Sequence, residues 1–117
     1  MLLIYSSPAT WNALSEPERD AFAAEHAALH AEIMGSGEWV GGDALADPTQ
    51  SWAVRVRDGA LFTTEGPYAE TREHVAGYTL IDVDALDRAL EIAARLPDSG
   101  LCGVEVRPIM HDGGLEM

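Results

Sequence analysis

Only two stretches of this 117-residue chain carry a helical apolar period, and each lies between stretches that read as strands. Two helices can cover one face of a sheet but not both, which restricts the chain to architectures with helices segregated to one side. The first helix opens at Ser15, where an N-cap serine, acidic Glu16 and Glu18 and an early Pro17 form a start signature. Phe22, His26, Leu29 and Ile33 then recur at three-to-four spacing through Met34, and Gly35 and Gly37 end the run. The second helix is expected over Ala85 to Leu96, capped by Asp84, with an apolar stripe of Leu86, Leu90, Ile92 and Ala93. The run Pro97-Asp98-Ser99-Gly100 breaks it.

Strands are expected at Leu2 to Ser6, stopped by Ser-Ser-Pro, and at Trp39 to Leu45, where Gly41-Gly42 signals a bulge or a close backbone approach. Trp52, Val54 and Val56 alternate with Ala53, Arg55 and Arg57, and Asp58-Gly59 folds this strand back as a hairpin. Gly77 to Val83 and Gly103 to Met110 complete the set, and His111 to Met117 reads as a loose tail. With the hairpin set aside, the order is β-α-β-β-α-β, a ferredoxin-like α+β arrangement in one domain spanning residues 1–117. The sheet face without helices has no cover in the chain, so a homodimer with a pocket between two sheets is expected.

Charge narrows the range of partners. Seven basic against twenty acidic residues give a formal charge of −13, which repels a nucleic-acid backbone and an anionic membrane surface. No apolar run approaches the roughly 20 residues that span a bilayer, and the N-terminal apolar segment lacks a basic flank, so it reads as a strand rather than a leader. Cys102 is the single cysteine and cannot form an internal disulfide, which makes the cytoplasm the default location. Its flanks supply no activating base, and it reads as a small, partly buried thiol.

Three groups of polar residues invite functional readings. His26 and His30 share one helical face at a spacing that two imidazoles can use to hold an ion, but no third ligand is evident. A partly buried structural pair is the plainer reading, so neither a metal nor any other cofactor is expected. The connection after Gly66-Pro67 is longer than most and carries Glu70, Arg72, Glu73 and His74: an acid, an anion clamp and a titratable group. Its plainer reading is a solvated loop with an internal ion pair. Finally, alternation sets Glu105 and Arg107 opposite Val104 and Val106, and groups Tyr78 with Asp82. These groups would face the pocket between sheets if the valines face the helices, or else form an interfacial ion-pair layer.

The run from Asp58 through Pro97 resembles the DGPF-motif branch of the YCII-related proteins. Its signature, Asp-Gly-Pro-Phe-Ala-Glu-Thr-Lys-Glu followed by Gly-Gly-Tyr, corresponds here to Glu65-Gly66-Pro67-Tyr68-Ala69-Glu70-Thr71-Arg72-Glu73 and Ala76-Gly77-Tyr78. The opening "LLIY", "WVGGDAL" and "GVEVRPI" extend the likeness over nearly the whole chain. The resemblance implies a dimeric ferredoxin-like α+β barrel with a cleft between sheets. The wider superfamily includes a dehydrochlorinating enzyme and proteins with a His-Asp pair, which no histidine here can be matched to by position. DGPF members are often encoded beside extracytoplasmic-function sigma factors. The expectation is therefore a small polar ligand between the sheets, with Glu70 as the base of lyase- or dehalogenase-like chemistry. Arg72 and Arg107 would clamp an anion, with Tyr78, Asp82 and Glu105 as orienting groups. The alternative is a noncatalytic regulatory protein linked to a sigma factor, its acidic surface steering a basic partner.

Overall fold

Leu2 and Ile92 are the two large side chains fully sealed from solvent, and the computed structural model, which describes residues 1–110, is built around them. Leu2 lies on β1 (Leu2–Ser6), and Ile92 on α3 (Leu86–Arg95). Leu29 and Ile33 of α2 (Glu16–Ser36), with Ala93 and Leu96, complete the buried cluster. Ile4, Trp39, Ile81, Val83, Val104 and Val106 pack around it from the sheet side.

The sheet comprises β2 (Trp39–Ala44), β5 (His74–Ile81), β1 and β6 (Val104–Val106), in that order and antiparallel throughout. With two helices on one face this α+β topology is consistent with the ferredoxin-like expectation. The hairpin β3 (Trp52–Arg57) and β4 (Ala60–Glu65) forms a separate two-stranded sheet between β2 and β5. Asp58 and Gly59 both take positive φ (51° and 76°), the turn that Asp-Gly favours because it matches the twist of the flanking strands.

Several elements follow their local signals closely. Ser15 and Glu18 form a full capping box on α2, and Gly37 ends the helix in the left-handed conformation. The register of β2 against β5 shifts between Trp39 and Gly41, so the expected bulge is present. A Cβ on Gly42 would lie 2.5 Å from the Tyr78 carbonyl oxygen, so the two strands approach at a point where only glycine fits.

Other elements differ from expectation. Asp84 does not cap α3: the N-cap is Ala85, without a side-chain hydrogen bond. Leu86 and Leu90 are 61% and 47% exposed, and Ala89, Ile92 and Ala93 form the buried stripe instead. The helix rotates to seat Ile92, which leaves the two leucines on the outer face. Strand β5 begins at His74, three residues early, and stops at Ile81, so Asp82 falls outside it. Strand β6 is only three residues long, although Arg107 continues the pairing through its N–H to the Met1 carbonyl (2.9 Å). A five-residue helix, α1 (Pro8–Asn12), follows β1 where a plain stop was expected: Ser7 caps it and Pro8 occupies its first turn. The expected tail, His111 to Met117, lies outside the described residues. No described helix is long and apolar enough to cross a membrane.

The end of α2 is tied to α3 by Arg88, whose Nε and Nη2 donate to the two oxygens of Glu38 (2.7 and 2.8 Å). These bonds, with a third from the Ser36 hydroxyl, lower the Glu38 carboxyl from its ordinary 4.5 to about 2. Because the folded-state value is depressed, the stabilisation is present above pH 4.5 and lost as the pH falls towards 2. Urea titrations from pH 7 to 2 should show Glu38→Gln less stable than the parent at neutral pH, the gap closing below 4.5. A gap independent of pH would exclude this linkage. Gly42→Ala should destabilise by about 1–3 kcal/mol in the same assay, since backbone must move to admit the methyl group.

Candidate functional site

Helix α2 meets the sheet along only part of its length, and the site follows from that. Its C-terminal half buries Leu29 and Ile33, whereas Phe22 and His26, nearer the N-terminus, are only partly covered. Between this splayed half and the sheet lies a cavity of about 540 Å³. Its floor is the helix-facing side of the sheet: Leu2, Ile4 and Ser6 of β1, Gly77 and Thr79 of β5, and Gly42 and Ala44 of β2. Trp11 of α1 and Trp39 of β2 also line it, and most of the lining is apolar. A cavity of this size, walled by apolar and aromatic groups with a few polar ones, suits a small organic molecule.

The polar group that distinguishes the cavity is a His–Asp pair between distant parts of the chain. His26 Nε2 lies in hydrogen-bond contact with Asp98 Oδ2, linking α2 to the 3-10 turn Pro97–Gly100 after α3. Asp98 is only 7% exposed, and its backbone carbonyl accepts from the amides of Leu101 and Gly103, which fixes the turn. The His26 side chain keeps about a third of its surface open (33%) and lines the cavity. A carboxylate oxygen accepts, so with Asp98 as acceptor the imidazole donates through Nε2–H, and Nδ1 is the ring nitrogen left for another partner. A carboxylate that fixes tautomer and orientation, and would stabilise the imidazolium, is the arrangement by which an imidazole becomes an effective base.

Aromatic packing holds the ring in place from the other side. Phe22 lies against His26 at 4.8 Å between centroids, and Trp11 meets Phe22 edge-on at 5.3 Å. Arg19 spans α1 and α2, donating to the Trp11 carbonyl at 2.9 Å with its guanidinium 5.0 Å from the Trp11 ring centre. The two histidines of α2 therefore have separate partners. His30 packs edge-on against Trp39 at 4.4 Å, and among the described residues no three His, Cys, Asp or Glu side chains are grouped as a metal ion would require.

Of the residues singled out from the sequence, His26 and Tyr78 border this cavity, while Glu70, Arg72, Asp82, Glu105 and Arg107 lie outside it. Glu70 and Arg72 are exposed on the connection between β4 and β5. Tyr78 and Glu105 do lie on the sheet face away from the helices: Asp43, Tyr78, Leu3 and Glu105 form one row of partners across β2, β5, β1 and β6. The Tyr78 hydroxyl donates to Asp43 Oδ2 (3.1 Å), and this bond pushes the phenol above its ordinary value. Glu105 pairs with Arg107, whose side chain is 62% exposed. Asp82 is separated from Tyr78 and lines a shallow polar groove with Glu38, Asp84 and Arg88. Cys102 is half-buried, with its thiol 3.7 Å from the Ser7 hydroxyl.

Asp98 was missed because its only sequence signal is the helix-breaking run that it shares, and its partner is 72 positions away. His26 was noticed, but through its spacing from His30 rather than through the carboxylate it meets.

Removing either member of the pair strands the other, at a cost of about 1–3 kcal/mol for a hydrogen-bonded group left without its partner. His26→Ala and Asp98→Ala should each destabilise in urea melts, and the double variant should lose less than their sum. Strict additivity would show that the contact is not energetically coupled.

The profile of the YCII-related domain family matches residues 1–111 of the chain. A protein of Rhizobium meliloti (strain 1021), described as "Uncharacterized protein R00369", is 30% identical over 112 residues, covering 92% of this chain and 89% of that protein.

Proposed function

The chain belongs to the YCII-related family, and from the His26–Asp98 pair at its cavity we propose a general acid–base catalyst acting on a small, largely apolar organic molecule. The motif Glu65 to Glu73, with Gly77-Tyr78, supports assigning it to the DGPF branch of that family. The single observation that carries the catalytic reading is a buried carboxylate holding an imidazole at the wall of an apolar cavity.

In such a site the lone pair of His26 takes a proton from a carbon or hydroxyl of the ligand. The electron pair left behind expels a group from the neighbouring atom, as in lyase or dehydrohalogenation chemistry. Asp98 stabilises the imidazolium formed, and the ring then returns the proton to the leaving group or to water. The largely apolar lining lowers the local dielectric around the base, which strengthens these charge interactions. Among the candidate bases, His26 is favoured over Glu70 because it has both a cavity and an orienting partner, while Glu70 is exposed. The face between sheets, with Tyr78 and Glu105, is assigned no chemistry in this reading.

A substrate-independent test is available. Nitrobenzisoxazole opens when a base removes its ring C–H proton and the N–O bond breaks, releasing a coloured cyano-nitrophenolate. The wild-type protein should accelerate this reaction, and His26→Gln should lose the acceleration, a loss on the order of 10²-fold or more for a positioned base. Asp98→Asn should fall between them, with the same product. Equal rates for wild type and His26→Gln, with Glu70→Gln slower, would move the base to the loop. Equal rates for all three would bring the noncatalytic, regulatory reading forward.

A further inference from the structure

We propose, resting on the reading of His26 as a base, that the cavity takes a small carbonyl compound bearing a hydrogen on the carbon beside the carbonyl. The Thr79 hydroxyl donates to the carbonyl oxygen while His26 removes that hydrogen. Thr79 is only 8% exposed and forms part of the cavity floor on β5. Among the described residues its hydroxyl makes no hydrogen bond. The unpaired side-chain atoms wholly sealed from solvent are, among the described residues, Arg19 Nε and Glu105 Oε2. The Thr79 hydroxyl is thus unpaired without being sealed, and the cavity is the space it lines. Buried hydroxyls are normally hydrogen-bonded, so a free one aimed into a cavity calls for a partner from outside the chain.

Strand pairing explains why Thr79 is left free. Its neighbours across the sheet are Leu2 on β1, which has no polar side-chain atom to offer, and Gly42 on β2, which has no side chain. A Cβ at Gly42 would lie 2.5 Å from the Tyr78 carbonyl oxygen, so no larger residue stands beside Thr79 to cover it. The other polar side chains around the cavity are engaged: His26 with Asp98, Tyr78 with Asp43, and His30 against the Trp39 ring. Ser6 is less deeply buried, at the end of β1.

The chemistry of proton removal dictates what the free donor is for. An imidazole takes a proton from carbon readily only where the electron pair left behind spreads onto a neighbouring electronegative atom. In a carbonyl compound the C–H bond breaks, a C=C bond forms, and the negative charge moves to the oxygen as an enolate. A hydroxyl positioned at that oxygen binds more strongly as the charge develops, which lowers the barrier rather than merely holding the ligand. Thr79 supplies this donor from the sheet and His26 the base from the helix. The enolate then expels a group from the next carbon, or takes the proton back at carbon from the imidazolium. Among the described residues no lysine or arginine lines the cavity, which disfavours a carboxylate or phosphate ligand and suits a neutral carbonyl. The largely apolar lining, with Trp11 and Phe22, suits a hydrocarbon skeleton for the rest of the molecule.

The test follows deuterium exchange in 2-tetralone, at the carbon between its ring and its carbonyl, by proton NMR in heavy water. Circular dichroism verifies that each variant folds. Wild type should exchange this position faster than buffer does, and His26→Gln should lose the gain. Thr79→Val, which keeps the shape and removes the hydroxyl, should be slower by about 10²-fold, as for loss of a donor to an oxyanion. Thr79→Ser should keep most of the rate. Equal rates for wild type and Thr79→Val would overturn the role of Thr79, and so would a loss that Thr79→Ser shares in full, since that marks packing. Opening of nitrobenzisoxazole that depends on His26, without exchange of 2-tetralone, would overturn the carbonyl class and leave the base standing. Activity in neither reaction would overturn both.

Discussion

The rest of the structure depends on how α2 is seated. The helix is anchored at one end, where Leu29 and Ile33 meet Leu2 and Ile92, and where Glu38 beyond its C-terminus is clamped by Arg88. Towards the other end, Phe22 and His26 are only partly covered. The strands beneath it offer Gly77, Ala44 and Gly42, which are too small to fill the gap. Aromatic rings from α1 and α2 line the resulting space together with the sheet. The same seating explains why α3 turns Leu86 and Leu90 outward: Ile92 fixes its rotation.

A cavity formed in this way would be ordinary if it were wholly apolar. Its character comes from Asp98, a carboxylate too buried for water to solvate fully. Burial of that charge requires a hydrogen-bonding partner, and His26 is the one available. Stability and chemistry are therefore tied together: the partner that satisfies the buried carboxyl of Asp98 is itself held in one orientation. Pairs of this kind also occur in purely structural roles, and what favours function here is that the imidazole, though held by Asp98 and Phe22, still opens onto the cavity.

Much of the fold was legible because the signals were local. The capping box at Ser15, the Asp-Gly hairpin and the Gly41-Gly42 bulge each depend on a few adjacent residues, and each is present. Their assembly was legible too, since two helices in this order leave few antiparallel topologies. The rotation of α3 was not, because Leu86 and Ile92 fit a helical stripe equally well until the sheet selects one. The short helix α1 had its signal in Ser7-Pro8, the same N-cap and early proline that marked α2. It was obscured because Ser-Ser-Pro also reads as a strand stop.

The site was less legible for a different reason. Polar residues are conspicuous in sequence where they cluster, and in this chain they cluster in Glu70 to His74, a segment that the fold leaves largely in solvent. Asp98 and His26 are isolated in sequence, each embedded in a segment with an adequate structural explanation of its own. Their pairing requires the turn after α3 to pass beneath the middle of α2, a consequence of the helices lying side by side on one sheet face. That arrangement follows from the β-α-β-β-α-β order. A reading of such chains that begins with topology, and then asks which helix-end turns face the neighbouring helix, would reach the pair by way of the fold rather than the motif.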